Sequence, residues 1–256
     1  MRQLLSEMTW PDVAQAVANG ATTVILPLGA TEQHGPHLPL GTDTFRAAAL
    51  AKRLAAQLPG SLVAPVLPIG CSDEHTGFPG LFSLSSETLA AVIVDCAQRM
   101  VGWGVHQLIP LSAHGGNEQA LALAGERLRQ QLPQLCVWLP ATLTQVAAPL
   151  LAIAEEDAIS PEMLGLHAGE GETSEMLYLH PELVRMEYAV PGHTGDMVEI
   201  LPRLREVGLR PLAPNGILGD PRPARAARGE RYLLAEVESY QEIIPKTPLW
   251  PTARQS

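Results

Sequence analysis

The chain has 256 residues, of which 46% are hydrophobic and 17% charged, so it can form one large domain with a sizeable core. Its formal net charge of −10 argues against the phosphate-neutralising surface of a nucleic-acid binder. Cys71, Cys96 and Cys136 are scattered and odd in number, which argues against a disulfide framework and for a reducing compartment. No stretch approaches the roughly 18 apolar residues that span a membrane, and we expect a cytoplasmic protein.

Strand-like apolar runs alternate with longer helical patterns along the chain. Thr9, and Ser85 or Ser86, predict two of the helix starts. Regular alternation is typical of parallel strands joined by crossover helices, and nearly all-apolar strands indicate that helices cover both faces of the sheet. The predicted strands are 22–28, 61–69, 107–112 and 135–140, and the predicted helices are about 43–58, 85–102, 117–132 and 223–243.

Two regions show no clear periodicity. Residues 186–222 are rich in proline and glycine and are predicted to form long loops, and residues 140–170 are expected to contribute further loops that set specificity. The chain contains no internal repeat and no linker that would separate two domains. We therefore expect residues 1–256 to form a single domain.

The most informative segment, 32–43, follows the apolar run at 23–28. Its carboxylates and imidazoles repel one another or lose hydration unless a cation holds them, and these ligand types suit zinc, manganese and iron. The position just past a predicted strand is where open α/β sheets place their active sites. The alternative is a set of polar loop groups with a helix cap at Thr42-Asp43. The candidate ligands or proton carriers are Glu32, His34, His37 and Asp43.

A second cluster, 112–117, follows the third predicted strand and contains His114, Gly115, Gly116 and Asn117. Two glycines after the histidine would let a ligand or metal approach without steric obstruction. The alternative is a glycine-rich turn with an incidental histidine. Because this cluster comes at the same edge of the sheet as the first, the pattern favours His114 as a ligand.

A third cluster, 167–174, precedes an apolar helical run and contains His167 and Glu172. It could supply a further metal ligand and a proton-transfer group, or it could be a helix start whose glutamates complement the helix dipole. A fourth, 73–80, follows the second strand, and there His75 or Glu74 could contact a substrate or simply form a structural turn.

Together these motifs resemble the creatininase family of creatinine amidohydrolase-like proteins. The resemblance covers about residues 5–243, which leaves 244–256 as a C-terminal tail, and implies a three-layer α/β/α sandwich, one or two divalent ions (Zn, Mn or Fe) and a homo-oligomer, in this family commonly a hexamer. By position it implies metal ligation by Glu32, His34, Asp43 and His114, with Asp43 bridging two ions, and proton transfer by His167. The matching motifs are Glu32-Gln-His-Gly-Pro-His-Leu-Pro, His75-Thr-Gly-Phe-Pro-Gly, His114-Gly-Gly-Asn and His167-Ala-Gly-Glu-Gly-Glu-Thr-Ser.

The chain departs from creatininase itself in two places. Gly116 stands where that enzyme has a glutamate, and we expect Glu172 to supply the missing carboxylate. The tryptophans that clamp creatinine also lack counterparts around 140–170. The His-Gly-Gly-Asn form is more similar to other branches of the family, which include a formylaminopyrimidine-nucleotide deformylase and the peptidase that trims the mycofactocin precursor.

The chemistry that the resemblance implies is hydrolysis of a C–N bond in a small amide or cyclic amide. A metal-activated water attacks the carbonyl, Glu172 takes its proton and His167 delivers one to the leaving nitrogen. We expect His75 and the segment Gly115, Gly116 and Asn117 to contact this small-molecule substrate, with glycine N–H groups at the oxyanion. The alternatives are a peptidase that trims a short peptide, the nucleotide deformylase, or a non-catalytic metal-binding scaffold.

Overall fold

The structure is a computed structural model that describes residues 3–139, 143–195 and 197–244. Its sheet has four parallel strands in the order β2-β1-β3-β4. The central pair is in register over its whole length, with Thr23 opposite Gln107 and Leu28 opposite Ser112. The strands are β1 (Thr23–Leu28), β2 (Ser61–Val63), β3 (Gln107–Ser112) and β4 (Cys136–Val137).

Helices cover both faces of this sheet. Val24 and Leu26 of β1 lie in one apolar cluster with Ile93 and Leu128, whereas Ile25 lies in another with residues of the second helix and the last helix. Alternate side chains of the buried strand therefore pack against opposite helical layers, which confirms the predicted three-layer α/β/α fold. The helices are α1 (Trp10–Ala18), α2 (Thr42–Gln57), α3 (Ser86–Gly102), α4 (Glu118–Gln131), α5 (Leu143–Glu156), α6 (Pro161–Leu164), α7 (Glu170–Leu179), α8 (Met197–Val207) and α9 (Ala226–Ile243).

Local capping explains why two of these helices begin where the sequence predicts. Thr9 precedes α1 and exchanges hydrogen bonds with Asp12, forming a capping box. Ser85 precedes α3, and its hydroxyl accepts a hydrogen bond of 3.2 Å from the amide of Thr88. Both caps satisfy amides that would otherwise lack partners at a helix N-terminus.

Four predicted boundaries or elements are wrong. The strand predicted at 135–140 is only Cys136–Val137 among the described residues. The strand predicted at 61–69 ends at Val63, because Pro65 has no amide to continue the ladder. The two regions expected to be loops contain helices instead, α5 and α6 within 140–170 and α8 within 186–222. Pro149 lies inside α5 and Pro202 inside α8, so each helix carries a residue that normally interrupts one.

The strand order places a crevice between β1 and β3. From β1 the chain first moves outward to β2, then returns across the sheet to β3 and β4, so these two strands flank the topological switch point. Ligands of open α/β sheets bind outside the carboxyl ends of the strands at this point. Among the described residues, no helix combines the length and apolar character needed to cross a membrane.

Candidate metal centre

Five chain segments meet at the carboxyl ends of β1 and β3. Glu32 and His34 lie in the loop after β1, and Asp43 lies in the first turn of α2. This loop packs tightly on the helix, since a Cβ on Gly29 would lie 2.5 Å from the Cα of Thr44. The other segments contribute His75 from a 3-10 turn, His114 from two residues past β3, His167 from the approach to α7, and Glu172 from the first turn of α7.

These side chains form groups with the spacing of metal ligands. Glu32, Asp43 and His114 offer ligand atoms that all lie within 4.8 Å of one another, and His34, Asp43 and Glu172 form a second such group. Asp43 belongs to both, with Oδ1 lying 3.3 Å from His34 Nε2 and Oδ2 lying 3.3 Å from His114 Nδ1. A third group joins Glu32 and His34 to His167. The arrangement matches two adjacent cation positions that share one carboxylate.

The polar atoms of this centre fit a divalent cation. Both carboxylate oxygens of Glu32 and Oδ2 of Asp43 are buried and make no hydrogen bond. Carboxylates removed from water are stable only when a cation or donors compensate them. His34 directs Nδ1 to the Glu32 carbonyl at 3.2 Å, and His114 directs Nε2 to the Cys71 carbonyl at 2.9 Å. Because a carbonyl only accepts, these bonds leave the other nitrogen of each ring facing the carboxylates, as in metal-bound histidines.

The pKa values show how strongly the charges are coupled. Burial alone would raise the pKa of Asp43, but His34 and His114 hold it well below its usual range. Burial lowers the pKa of His34, but Asp43 together with Glu172 and Glu32 raises it to about 9. Carboxylates and imidazoles thus share protons here, and a bound cation would displace those protons from the rings.

His75 and His167 lie at the edge of the same centre. His75 Nε2 is 3.0 Å from Glu32 Oε1, and His167 Nδ1 is 3.7 Å from the same oxygen. The backbone of His167 pairs with Leu218, which fixes its position. Burial and the neighbouring His34 and His75 hold the pKa of His167 well below its usual range, so this ring is neutral. His37, by contrast, turns away from the ligand groups, with Nε2 2.9 Å from the Thr173 hydroxyl.

Gly116 is a glycine because its surroundings leave no room for a side chain. A Cβ there would lie 2.0 Å from the Cys71 carbonyl oxygen and 2.4 Å from His114 Nε2. No glutamate fits at this position in the observed backbone. Glu172 instead brings its carboxylate to 3.7 Å from His34 Nε2, where the sequence led us to expect it.

The structure corrects the expected role of Asn117. This side chain is fully buried, and its Oδ1 accepts a hydrogen bond from the Cys71 amide at 2.9 Å. Its Nδ2 donates to the Gly29 carbonyl and the Ser112 hydroxyl. Every polar atom of Asn117 is therefore engaged within the protein, and the residue ties the two strand ends together instead of contacting substrate.

Two residues of the centre were missed by the sequence analysis. Gln33 donates to His75 Nδ1 and contacts His167, although it lies between two predicted ligands and carries no charge. Arg46 donates to Glu172 Oε1 at 2.9 Å and pairs with buried Glu175. The sequence feature that could have identified Arg46 is helical spacing, since it lies four residues before Leu50 on the apolar face of α2.

Comparisons with known proteins identify the family of this chain. The chain is 37% identical to the "Mycofactocin precursor peptide peptidase" of Mycolicibacterium smegmatis over 228 residues, which cover 87% of this chain and 84% of the relative. It is 29% identical to the "Creatinine amidohydrolase" of Pseudomonas putida, with 94% and 95% covered. The solved structure "Creatininase Mn" superposes with a TM-score of 0.78 at 26% identity, covering 96% of this chain and 98% of that one. The family model "Creatininase: Creatinine amidohydrolase" matches residues 6–244. The chain therefore belongs to the creatininase family of metal-dependent amidohydrolases.

Proposed function

We propose that this protein cuts an amide bond near one end of a short peptide, with two divalent ions in the centre. The observation that carries the hydrolytic role is the pair of ligand groups sharing Asp43. Two adjacent cations held by a shared carboxylate are typical of hydrolases that clamp both the attacking and the leaving atoms. The proposed metal ligands are Glu32, His34, Asp43, His114 and Glu172.

The contacts of Glu172 favour a ligand role over the proton-accepting role that the sequence also left open. One of its oxygens accepts a hydrogen bond from Arg46, and the other accepts one of 2.7 Å from the Ala168 amide. These bonds hold the carboxylate in one orientation beside His34 and Asp43. Fixed geometry suits a metal ligand, and each oxygen keeps a second lone pair for an ion.

When bound, a divalent ion polarises the amide carbonyl and lowers the pKa of a water from about 15.7 toward about 7. The remaining steps fall to the chain's own residues. Water loses a proton as its oxygen bonds to the carbonyl carbon, and the nitrogen gains one as the C–N bond breaks. Neutral, buried His167 lies beside the ligand groups, so we propose that it accepts the first proton and returns it to the nitrogen. Exposed Gly115 remains the proposed oxyanion donor.

The substrate proposal rests on the relatives and on one absence in the sequence. The M. smegmatis peptidase shares more identity with this chain than the P. putida amidohydrolase does. No tryptophan stands between Trp138 and Trp250, so no indole is available there to sandwich a flat ring. A small or cyclic amide is the second candidate, favoured by the near-complete coverage of the P. putida enzyme.

Metal removal and a substrate panel test this function. The chelated protein is reconstituted separately with zinc, manganese or iron, bound metal is measured by elemental analysis, and turnover is assayed on short peptides, creatinine, cyclic amides and a formamide nucleotide. We expect metal-dependent cleavage of a peptide. Asp43→Asn should lose both ions and all turnover, whereas Glu172→Gln should lose one ion. Exposed His106, replaced by glutamine, is the control. Turnover by the metal-free protein would contradict the proposal.

Three further expectations stay proposals. The native ion is zinc, manganese or iron, because the same imidazole and carboxylate set accepts each of them. The protein acts in the cytoplasm as a homo-oligomer. If it is a hexamer, light scattering should give six times the monomer mass of 27.4 kDa. Residues 1–256 form one domain, although 245–256 lie outside the described residues.

A further inference from the structure

We propose that Gln33 is a positioning residue that sets which nitrogen of His75 and of His167 carries the proton. Gln33 is buried beside the His75 and His167 rings, whose centroids lie 4.6 Å apart. It reaches one ring with its side chain and the other with its main chain. This inference deepens the proposed function, since its catalytic meaning rests on that function, but the proton positions themselves are measurable without any turnover.

The hydrogen bonds of the Gln33 side chain fix its own orientation first. Its Oε1 accepts a hydrogen bond of 2.8 Å from the Gly35 amide, so Nε2 is the donor end. Nε2 lies 3.2 Å from the Gly216 carbonyl, which accepts one of its two hydrogens. The second hydrogen is directed at His75 Nδ1, 3.1 Å away. His75 Nδ1 therefore carries no proton, and the N–H of this ring, at Nε2, faces Glu32.

The main chain of Gln33 determines the other ring. His167 Nε2 lies 2.7 Å from the Gln33 carbonyl oxygen, which can only accept. When the ring holds a single proton, that proton is therefore on Nε2, which then has no lone pair left for the Gln33 amide 3.1 Å away. The bare Nδ1 is the nitrogen that lies nearer the metal centre, 3.7 Å from Glu32 Oε1.

The two assignments have opposite chemical consequences. His75 turns its N–H toward Glu32 Oε1, 3.0 Å away, so the ring presents the positive end of a dipole to that carboxylate. His167 offers a lone pair to the centre, so in the resting protein it can accept a proton or coordinate an ion, and it can donate only after accepting. Gln33 thus turns the N–H of His75 and the lone pair of His167 toward the same side of the metal centre, near Glu32.

The fold makes space for this glutamine. Gly216 has φ of +77°, and a Cβ there would lie 1.8 Å from Gln33 Oε1. Any side chain at 216 would therefore both strain the backbone and push the amide out of place. Glutamate at position 33 would fit the same volume but could not donate to His75 Nδ1.

Nitrogen-15 NMR of the imidazole rings tests the inference in the full chain with zinc bound. Each signal is assigned by loss in His75→Gln and His167→Gln. In the unaltered protein we expect the proton of both rings on Nε2. Gln33→Glu should place a proton on His75 Nδ1 in addition to the one at Nε2, because the new carboxylate accepts there while Glu32 still faces Nε2. His167 should stay unchanged because its partner is the main chain.

Several outcomes would overturn the inference. One is a spectrum of the unaltered protein in which either ring carries its proton on Nδ1. Another is an unchanged His75 signal in Gln33→Glu. Gln33→Met, which is of similar size and cannot donate, should release His75 into a mixture of tautomers. The proton positions are read in the unaltered protein, and the two histidine variants serve only to assign its signals. If the rings behave as expected but no panel compound is cleaved, the proposed function fails and this inference stands.

Discussion

Arg46 is the fixed cation of the centre, and replacing it with methionine should destabilise the protein strongly. The guanidinium lies on α2 one turn beyond Asp43 and donates to Glu172 at 2.9 Å, to the Ala113 carbonyl at 3.2 Å and to Glu175. It also pairs with Glu236 at 3.4 Å. Methionine fills much of the same volume but leaves the buried carboxylates without their counter-charge.

The expected cost follows from this burial. Removing one partner of a buried ion pair costs about 3–5 kcal/mol, against a typical unfolding free energy of about 5–15 kcal/mol. Glu236 limits the loss, because burial and the neighbouring Glu175 already raise its pKa to about 8 and it can take up a proton. Arg231→Met is the matched control, since Arg231 pairs with the exposed Glu156 and such pairs contribute about 0–1 kcal/mol.

Urea unfolding of the metal-free variants, followed by circular dichroism, measures the difference. At constant m-value, a shift of the midpoint reports the change in unfolding free energy directly. We expect the Arg46 variant to be less stable than the Arg231 variant by at least about 2 kcal/mol. Equal midpoints for the two variants would refute the view that Arg46 neutralises a buried acidic cluster.

Two further predictions concern the packing and the buried acids. Gly116→Ala should displace His114, and calorimetry should show lower stability and lower zinc affinity. Gly102→Ala is the control, because a Cβ there meets nothing within 4 Å and should be neutral or slightly stabilising. Equal effects of the two substitutions would contradict the steric argument. Because the folded state raises the pKa of Glu236 from 4.5 to about 8, folding takes up a proton there and stability falls as pH rises through that window. Glu236→Gln should make this fall shallower in unfolding measured between these pH values, and an unchanged slope would count against it.

The sequence predicted the two central strands and four of the helices closely, but it overestimated the outer strands and missed the helices that contain an internal proline. The strands β1 and β3 are short apolar runs buried on both faces, and their predicted ranges differ from the observed ones by at most one residue. The helices α5 and α8 were missed, because their internal prolines read as breaks and tertiary packing overrides such local preferences.

For the centre, the sequence identified charged and imidazole side chains but not the groups that orient them. Glu32, Asp43 and His114 were expected together because each follows a strand at one edge of the sheet, and the structure brings them within ligand distance. Gln33 was missed because its role consists of hydrogen-bond directions, which spacing does not encode. Asn117 was misassigned for the converse reason, since the hydrogen bonds of a polar side chain beside a ligand can go to main-chain groups of the protein.

Glu172 lies between Arg46 and the proposed ion position, so its carboxylate would connect two kinds of cation. Its Oε1 is bonded to Arg46, which is part of the chain, and its Oε2 faces the His34 and Asp43 group, where an exchangeable ion would bind. Arg46 therefore keeps Glu172 in place whether or not an ion is present. A ligand already held in its bound orientation loses little conformational entropy on binding. Glu175 and Glu236 both pair with Arg46, so these two acids hold the arginine that in turn holds the proposed ligand Glu172.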